Sequence, residues 1–147
     1  MTQGIWDQAE SLVAIDKLLP HEEINANNLK LLKKKIGDSQ RITSALIIDR
    51  KSCLIIDGHH RYNLAKDFGF TLFPAFLIDY FDENLKVLEN DISGAKMDKK
   101  LILEQALKGV LLPSKSTFHG YIDPSNGTIK HISTFFKQID VCVNKLC

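Results

Sequence analysis

The chain has little of what ties small secreted proteins together or carries a protein across a membrane. Its three cysteines, Cys53, Cys142 and Cys147, are odd in number, widely spaced and without a C-x-x-C pair, which argues against a disulfide framework or a zinc site and fits a reducing, cytoplasmic setting. The N-terminus lacks a basic segment followed by an apolar one, and no apolar run approaches the roughly 20 residues that span a bilayer, so neither secretion nor a membrane partner is expected. Charge of one sign is also missing: a net charge of +1 gives no global reason to expect nucleic acid, and DNA is disfavoured as a partner. There is no internal repeat and no low-complexity linker. Neither composition nor motif speaks to oligomeric state.

What is present is a core-forming composition. With 147 residues, 44% hydrophobic and 25% charged, the chain suits one globular domain with a small appendage. Its densest stretch is Leu54-Ile55-Ile56-Asp57-Gly58-His59-His60-Arg61-Tyr62. An apolar strand stops at Asp-Gly, two imidazoles and a guanidinium follow, and Asn63 to Phe68 reads as helix. The unused N–H groups of a helix start point the same way as these side chains, which makes the junction an anion cradle suited to phosphate. Adjacent helical residues diverge, so His59 and His60 are poorly placed to share one metal ion.

The remaining elements follow from pattern. Leu12 to Ile15 reads as a short strand before the turn at Pro20. An asparagine among Asn25, Asn27 and Asn28 caps a helix with Leu29, Leu32 and Ile36 on its apolar face, ended by Gly37, with Lys33, Lys34 and Lys35 near its C-terminal end. Ser44–Ile48 and Cys53–Ile56 form a hairpin across Asp49–Ser52. Leu72–Ile78 is a buried strand in which Pro74 predicts an edge position or the strand's first residues. A short strand over Asn84–Leu88 and a helix over Lys99–Lys108 capped by Asp98 follow, the latter ended by Gly109. Pro113 to Gly120 reads as a shaped loop carrying Ser114, Lys115, Ser116, Thr117 and His119. It resembles a phosphate cradle in residue types but lacks the glycines of a Walker A loop. Pro124–Gly127 predicts a hairpin turn, and Ile129–Val143 alternates too imperfectly to assign.

In this order the motifs resemble a known superfold. The segment from Ile15 to Tyr80 is similar to the ParB/sulfiredoxin superfold, whose G-x-x-R turn is here Gly58-His59-His60-Arg61. Within it the chain most resembles the free L-serine kinases, through Pro20-His21-Glu22, Asp57-Gly58-His59-His60-Arg61, Asp79-Tyr80 and Pro113-Ser114-Lys115-Ser116-Thr117-Phe118-His119. The likeness spans about Val13 to His119. Two positions depart from the family pattern: Ser116 replaces a threonine, and Phe118 stands where the family has arginine. Sulfiredoxin chemistry needs a cysteine where His59 stands, because a thiolate must attack. ParB clamps carry Glu-Arg-Arg in place of His-His-Arg, followed by a helix-turn-helix that is not legible after Tyr80.

The resemblance implies an α+β fold, a small mixed sheet flanked by short helices, over residues 1–120, with 121–147 an extension packed on the same domain. It implies phosphoryl transfer from ATP or ADP, with Mg²⁺, to the hydroxyl of free serine or a similar small hydroxy amino acid. Glu22 would accept the hydroxyl proton, and Asp57 would orient the acceptor or hold Mg²⁺. Gly58, His59, His60 and Arg61 would line the phosphates, Lys115, Ser116 and Thr117 would close over them, and His119 would bind the amino acid. Two other readings stay open: a ParB-like nucleotide-binding or DNA-partition module without kinase activity, and a degenerate kinase fold kept for protein interaction.

Overall fold

The computed structural model describes residues 9–90 and 94–147. The predicted start of the chain, including Ile5 and Trp6, lies outside the described residues. Among the described residues, nine strands and three α-helices follow in the order β1 (Ser11–Ala14), α1 (Ala26–Ser39), β2 (Arg41–Ile42), β3 (Leu46–Asp49), β4 (Ile55–Asp57), α2 (His59–Asp67), β5 (Leu72–Ile78), β6 (Leu85–Glu89), α3 (Lys99–Leu107), β7 (Thr117–Ile122), β8 (Ile129–His131) and β9 (Val141–Cys142). The fold is α+β. A four-stranded mixed sheet is ordered β1-β5-β3-β4, with β3 and β5 parallel and the other neighbours antiparallel. A three-stranded sheet β6-β7-β8 and a two-stranded pair β2-β9 complete it.

The uninterrupted apolar runs of β3 and β4 are explained by burial on both faces of the sheet. Leu46, Ile48 and Ile55 pack in one cluster with Ile36 of α1, Tyr62, Leu64 and Ala65 of α2, and Phe73 of β5. Their neighbours Ile47, Leu54 and Ile56 face a second cluster with Leu85, Val87, Ile102, Ala106, Tyr121 and Ile132. Ile139 and Leu146 from the end of the chain belong to the first cluster.

Three expectations are corrected. The first helix runs past Gly37 to Ser39, and Gln40 takes the left-handed position at φ 58°. Its N–H donates to Ile36 O and its side chain to Gly37 O, so Gln40 satisfies terminal carbonyls of the helix in the role expected of a glycine cap. The triple lysine therefore falls before the last turn, where Lys33 pairs with Asp67 at 2.7 Å and Lys34 with Asp38 at 3.0 Å. Pro74 stands among the first residues of β5, as expected, ahead of the point where the strand gains its second partner. The bond from Ile15 N to Thr71 O sets a register that leaves the Leu12–Pro74 pair without hydrogen bonds, and pairing with β3 begins only at Ala75. The missing N–H is thus never asked for.

The last correction concerns Pro113 to Gly120. Only its first half is a turn, with Lys115 at φ 58°, while Thr117 to Gly120 belong to β7 between β6 and β8. Gly120 breaks no strand here. A Cβ at Gly120 would come within 2.7 Å of the Phe118 ring and of Ile129, so the residue permits close approach within the sheet.

Candidate active site

The chain reaches the site from four directions. Leu19 pairs beside the start of β4: its N–H donates to Cys53 O at 3.0 Å, and its carbonyl accepts from Ile55 N at 2.8 Å. On the other side, Leu112 N donates to His21 O and Glu23 N to Leu112 O, both at 2.8 Å. His21 and Glu22 are therefore clamped between β4 and the residue before the Pro113 turn. The third approach is α2, and the fourth the β7-β8 hairpin.

The turn from β4 to α2 behaves as its sequence predicts. Gly58 caps α2 at φ 111° without a side-chain cap bond, and a Cβ there would run into the Leu46 side chain and lie 3.0 Å from Arg61 Nη2. Only glycine meets both demands. The first turn of α2 holds no acidic residue, so its N–H groups and dipole remain available to an anion. Arg61 folds back, donating through Nη2 to Ala45 O at 3.1 Å and to Asp57 Oδ2 at 3.3 Å.

The two adjacent imidazoles diverge as expected. His59 is buried and accepts at Nε2 from His21 N at 3.0 Å, whereas His60 accepts at Nε2 from Asn25 N at 2.9 Å. Accepting at Nε2 leaves the proton on Nδ1 in both rings. Burial holds the His59 pKa well below its usual value, with the nearby His21, His60 and Arg61 adding to it. Burial also lowers His60, assisted by the charges of Lys115 and Arg61.

Glu22 is 9% exposed and spans two residues of the opposite wall. Its Oε1 accepts from Lys115 N at 2.9 Å, and its Oε2 accepts from Thr117 N at 3.1 Å and from the Thr117 hydroxyl. His21 Nε2 lies 3.3 Å from the same hydroxyl. Burial depresses His21 to about 4, partly offset by a hydrogen bond to the Ile55 backbone. Beneath it, His119 is 3% exposed, its Nε2 is 3.3 Å from the Tyr80 hydroxyl, and burial keeps it neutral. Burial likewise raises the Tyr80 phenol.

Glu22, Asp57, Gly58, His59, His60, Arg61, Lys115, Thr117 and His119, all singled out in the sequence, line one cavity of about 270 Å³. Ser116 does not. Its hydroxyl donates to Pro113 O at 2.6 Å, holding its own turn. Ile56, Asn90, Phe118 and His131 complete the lining, of which Ile56 and Phe118 lie within the sequence motifs. Asn90 Nδ2 donates to Lys115 O at 2.9 Å. No local sequence signal marks Asn90 or His131, since strand pairing alone brings them in. Among the described residues no three His, Cys, Asp or Glu side chains converge as a metal site, and no helix is long and apolar enough to cross a membrane.

Fold and cavity together define a small α+β domain with an anion cradle at a strand-to-helix turn, faced by a buried glutamate. No family model matches the chain. Over 80 residues it is 42% identical to an ATP-dependent L-serine kinase of Staphylothermus marinus, a match covering 52% of this chain and 32% of that protein. Over 101 residues it is 33% identical to the ATP-dependent L-serine kinase of Desulfurococcus mucosus, covering 66% and 39%. A ParB-like protein of Sulfolobus acidocaldarius is 33% identical over 81 residues, covering 52% and 38%. The matched region is thus about a third of the length of these relatives. A free serine kinase solved in complex with AMP superposes with a TM-score of 0.74 over 94% of this chain and 93% of that one, at 14% identity. The resemblance to free L-serine kinases is therefore present in sequence and, independently, in fold.

Proposed function

We propose that the protein transfers a phosphoryl group from ATP or ADP to the hydroxyl of free serine or a similar small hydroxy amino acid. The observation that carries this reading is the placement of Glu22 in the same cavity as the open N-terminus of α2, His60, Arg61 and Lys115. Phosphoryl transfer asks the protein mainly for positioning, charge neutralisation and a group that receives the acceptor's proton. A carboxylate offers about four lone-pair positions, and Lys115 and Thr117 occupy three of those on Glu22. The remaining position serves the acceptor hydroxyl. In the reaction the acceptor oxygen forms a bond to the terminal phosphorus, the bond from that phosphorus to the bridging oxygen breaks, and the hydroxyl proton passes to Glu22. The shortened nucleotide leaves with the electron pair.

In this scheme Gly58, His59, His60 and Arg61 hold the phosphates with the helix N-terminus, and Lys115 and Thr117 cover them. His119, buried and paired with Tyr80, supports the floor beneath the amino acid. Asp57 already carries Arg61 at 3.3 Å, and among the described residues no cluster of His, Cys, Asp or Glu forms around it, so the residues present do not fit a protein-held metal. Any Mg²⁺ would have to arrive with the nucleotide, and would supply charge neutralisation on the phosphates.

The test is to incubate the protein with Mg²⁺, serine and either ATP or ADP and to look for phosphoserine by mass spectrometry. No product with both nucleotides refutes the proposal. The likeness to a ParB-like protein favours a second reading, a nucleotide-binding module that acts on DNA. That reading requires DNA affinity falling steeply with salt and no phosphoserine.

A further inference from the structure

His131 belongs to none of the motifs, yet the pairing of β8 with β7, which sets Gly120 opposite His131, brings its ring into the cavity wall. Its tautomer is fixed by neighbours. Nδ1 accepts from Ser133 N at 3.2 Å, with Ser133 Oγ at 2.8 Å, so the ring proton sits on Nε2. That Nε2–H faces Asp57 Oδ1 across 4.0 Å, too far for a hydrogen bond. Asp57 Oδ2 is meanwhile held by Arg61. The His131 side chain is 40% exposed, and its ring packs edge-on against Phe118 with centroids 5.5 Å apart. A donor and a carboxylate oxygen therefore flank one gap, both unspent toward each other.

The chemistry of that gap discriminates between ligands. A phosphate reaching His131 would meet the Asp57 carboxylate at close range and be repelled. A simple cation would satisfy Asp57 and leave the Nε2–H unused. An α-amino acid carries an ammonium and a carboxylate on one carbon, and meets both. We propose that Asp57 and His131 together hold the headgroup of the amino-acid acceptor, Asp57 Oδ1 taking the ammonium and His131 Nε2–H the carboxylate. This rests on the kinase reading and extends it by assigning how the free amino acid is recognised. Phe118, where the resemblance expects arginine, gains a role as the brace that orients His131.

The experiment is calorimetric titration of the nucleotide-loaded protein, with Mg²⁺ removed by EDTA so that binding is read without turnover. The titrants are L-serine, ethanolamine, which lacks the carboxylate, and 3-hydroxypropionate, which lacks the ammonium. The wild type should bind serine at least ten-fold more tightly than either analogue. His131→Leu should weaken serine by ten-fold or more while leaving ethanolamine and nucleotide affinity within two-fold, and His131→Gln, which keeps an N–H near the same place, should restore part of the loss. Ethanolamine binding the wild type as tightly as serine overturns the proposal without any variant having to fold. So does His131→Leu with unchanged serine affinity, or with a loss confined to nucleotide. Serine binding with these preferences but without phosphoserine formation would leave the clamp standing and remove the kinase reading. Phosphoserine formation with an unaltered KM for serine in His131→Leu would do the reverse.

Discussion

Two buried carboxylates in this molecule make nearly the same bonds in different places. Asp49, 3% exposed, accepts from Ser52 N, the Ser52 hydroxyl and Tyr80 N. Glu22 accepts from Lys115 N, Thr117 N and the Thr117 hydroxyl. Each takes two backbone N–H groups and one hydroxyl, and each ties together segments far apart in sequence. The Asp49 knot closes a hairpin and fastens the end of β5. The Glu22 knot forms a wall of the cavity. Hydrogen-bond count alone would rank them equal, and what separates them is whether a ligand can reach the carboxylate.

Substitutions at the two positions should therefore part company, and the largest effect is expected on rate. Glu22→Ala should lower kcat by roughly 10²–10⁴-fold, the range of a general base, while its melting temperature falls only modestly because water in the cavity can serve the freed N–H groups. Asp49→Ala should do the opposite: about 2–4 kcal/mol of stability lost, from buried donors left without partners, with kcat per folded molecule retained. Urea unfolding and phosphoserine assays on both variants check this. Equal stability losses would erase the distinction.

Acid should also act on one knot before the other, because His21 Nε2 lies 3.9 Å from Glu22 Oε2 and the rings of His59 and His119 pack against His21. His21 is depressed from 6.5 to about 4, and His59 and His119 lie well below their usual value, chiefly through burial. For such groups the unfolded chain binds protons that the folded one refuses. Their stabilising contribution is complete above about pH 6.5 and is lost as pH falls below it, with His21 alone accounting for about 3 kcal/mol by pH 4. Hydrogen exchange at pH 5 should show Lys115 and Thr117 amides opening more than those of Ser52 and Tyr80. Uniform loss of protection would mean that the imidazoles do not localise the effect.

The contrast also marks what was legible in the sequence. The cradle was, because Asp57 to Arg61 are contiguous and their geometry is set by one glycine and one helix start. Glu22 and the Lys115–His119 stretch were placed by resemblance, and their joining depends on Leu19 and Leu112 pairing on either side of them, which no local pattern announces. Gly37 and Gly120 carry a terminator's signature in sequence, yet Gly37 lies within a helix and Gly120 serves close packing in a strand. Pro74 marked the start of its strand correctly, although the register that frees its position is a property of three strands together. Asp49 looked like an ordinary turn residue, since its third partner, Tyr80 N, is distant in sequence.

The smallest expected effect sharpens the comparison most. Glu22 both receives a proton in the proposed reaction and positions Lys115 and Thr117, so Glu22→Ala removes two functions at once. Asn90 separates them. Its side chain donates to Lys115 O from the exposed side, while its backbone N–H, which any substitution short of proline keeps, holds Ser116 O. Asn90→Ala should thus loosen the Lys115 turn without touching the carboxylate, at less than about 1 kcal/mol of stability. The expected outcome is a few-fold rise in KM for nucleotide, because Lys115 spends less time over the phosphates, with kcat nearly unchanged. Steady-state kinetics with varied nucleotide read this directly. If Asn90→Ala instead lowers kcat as far as Glu22→Ala does, the effect of Glu22 is entirely one of position, and the proton must be received elsewhere.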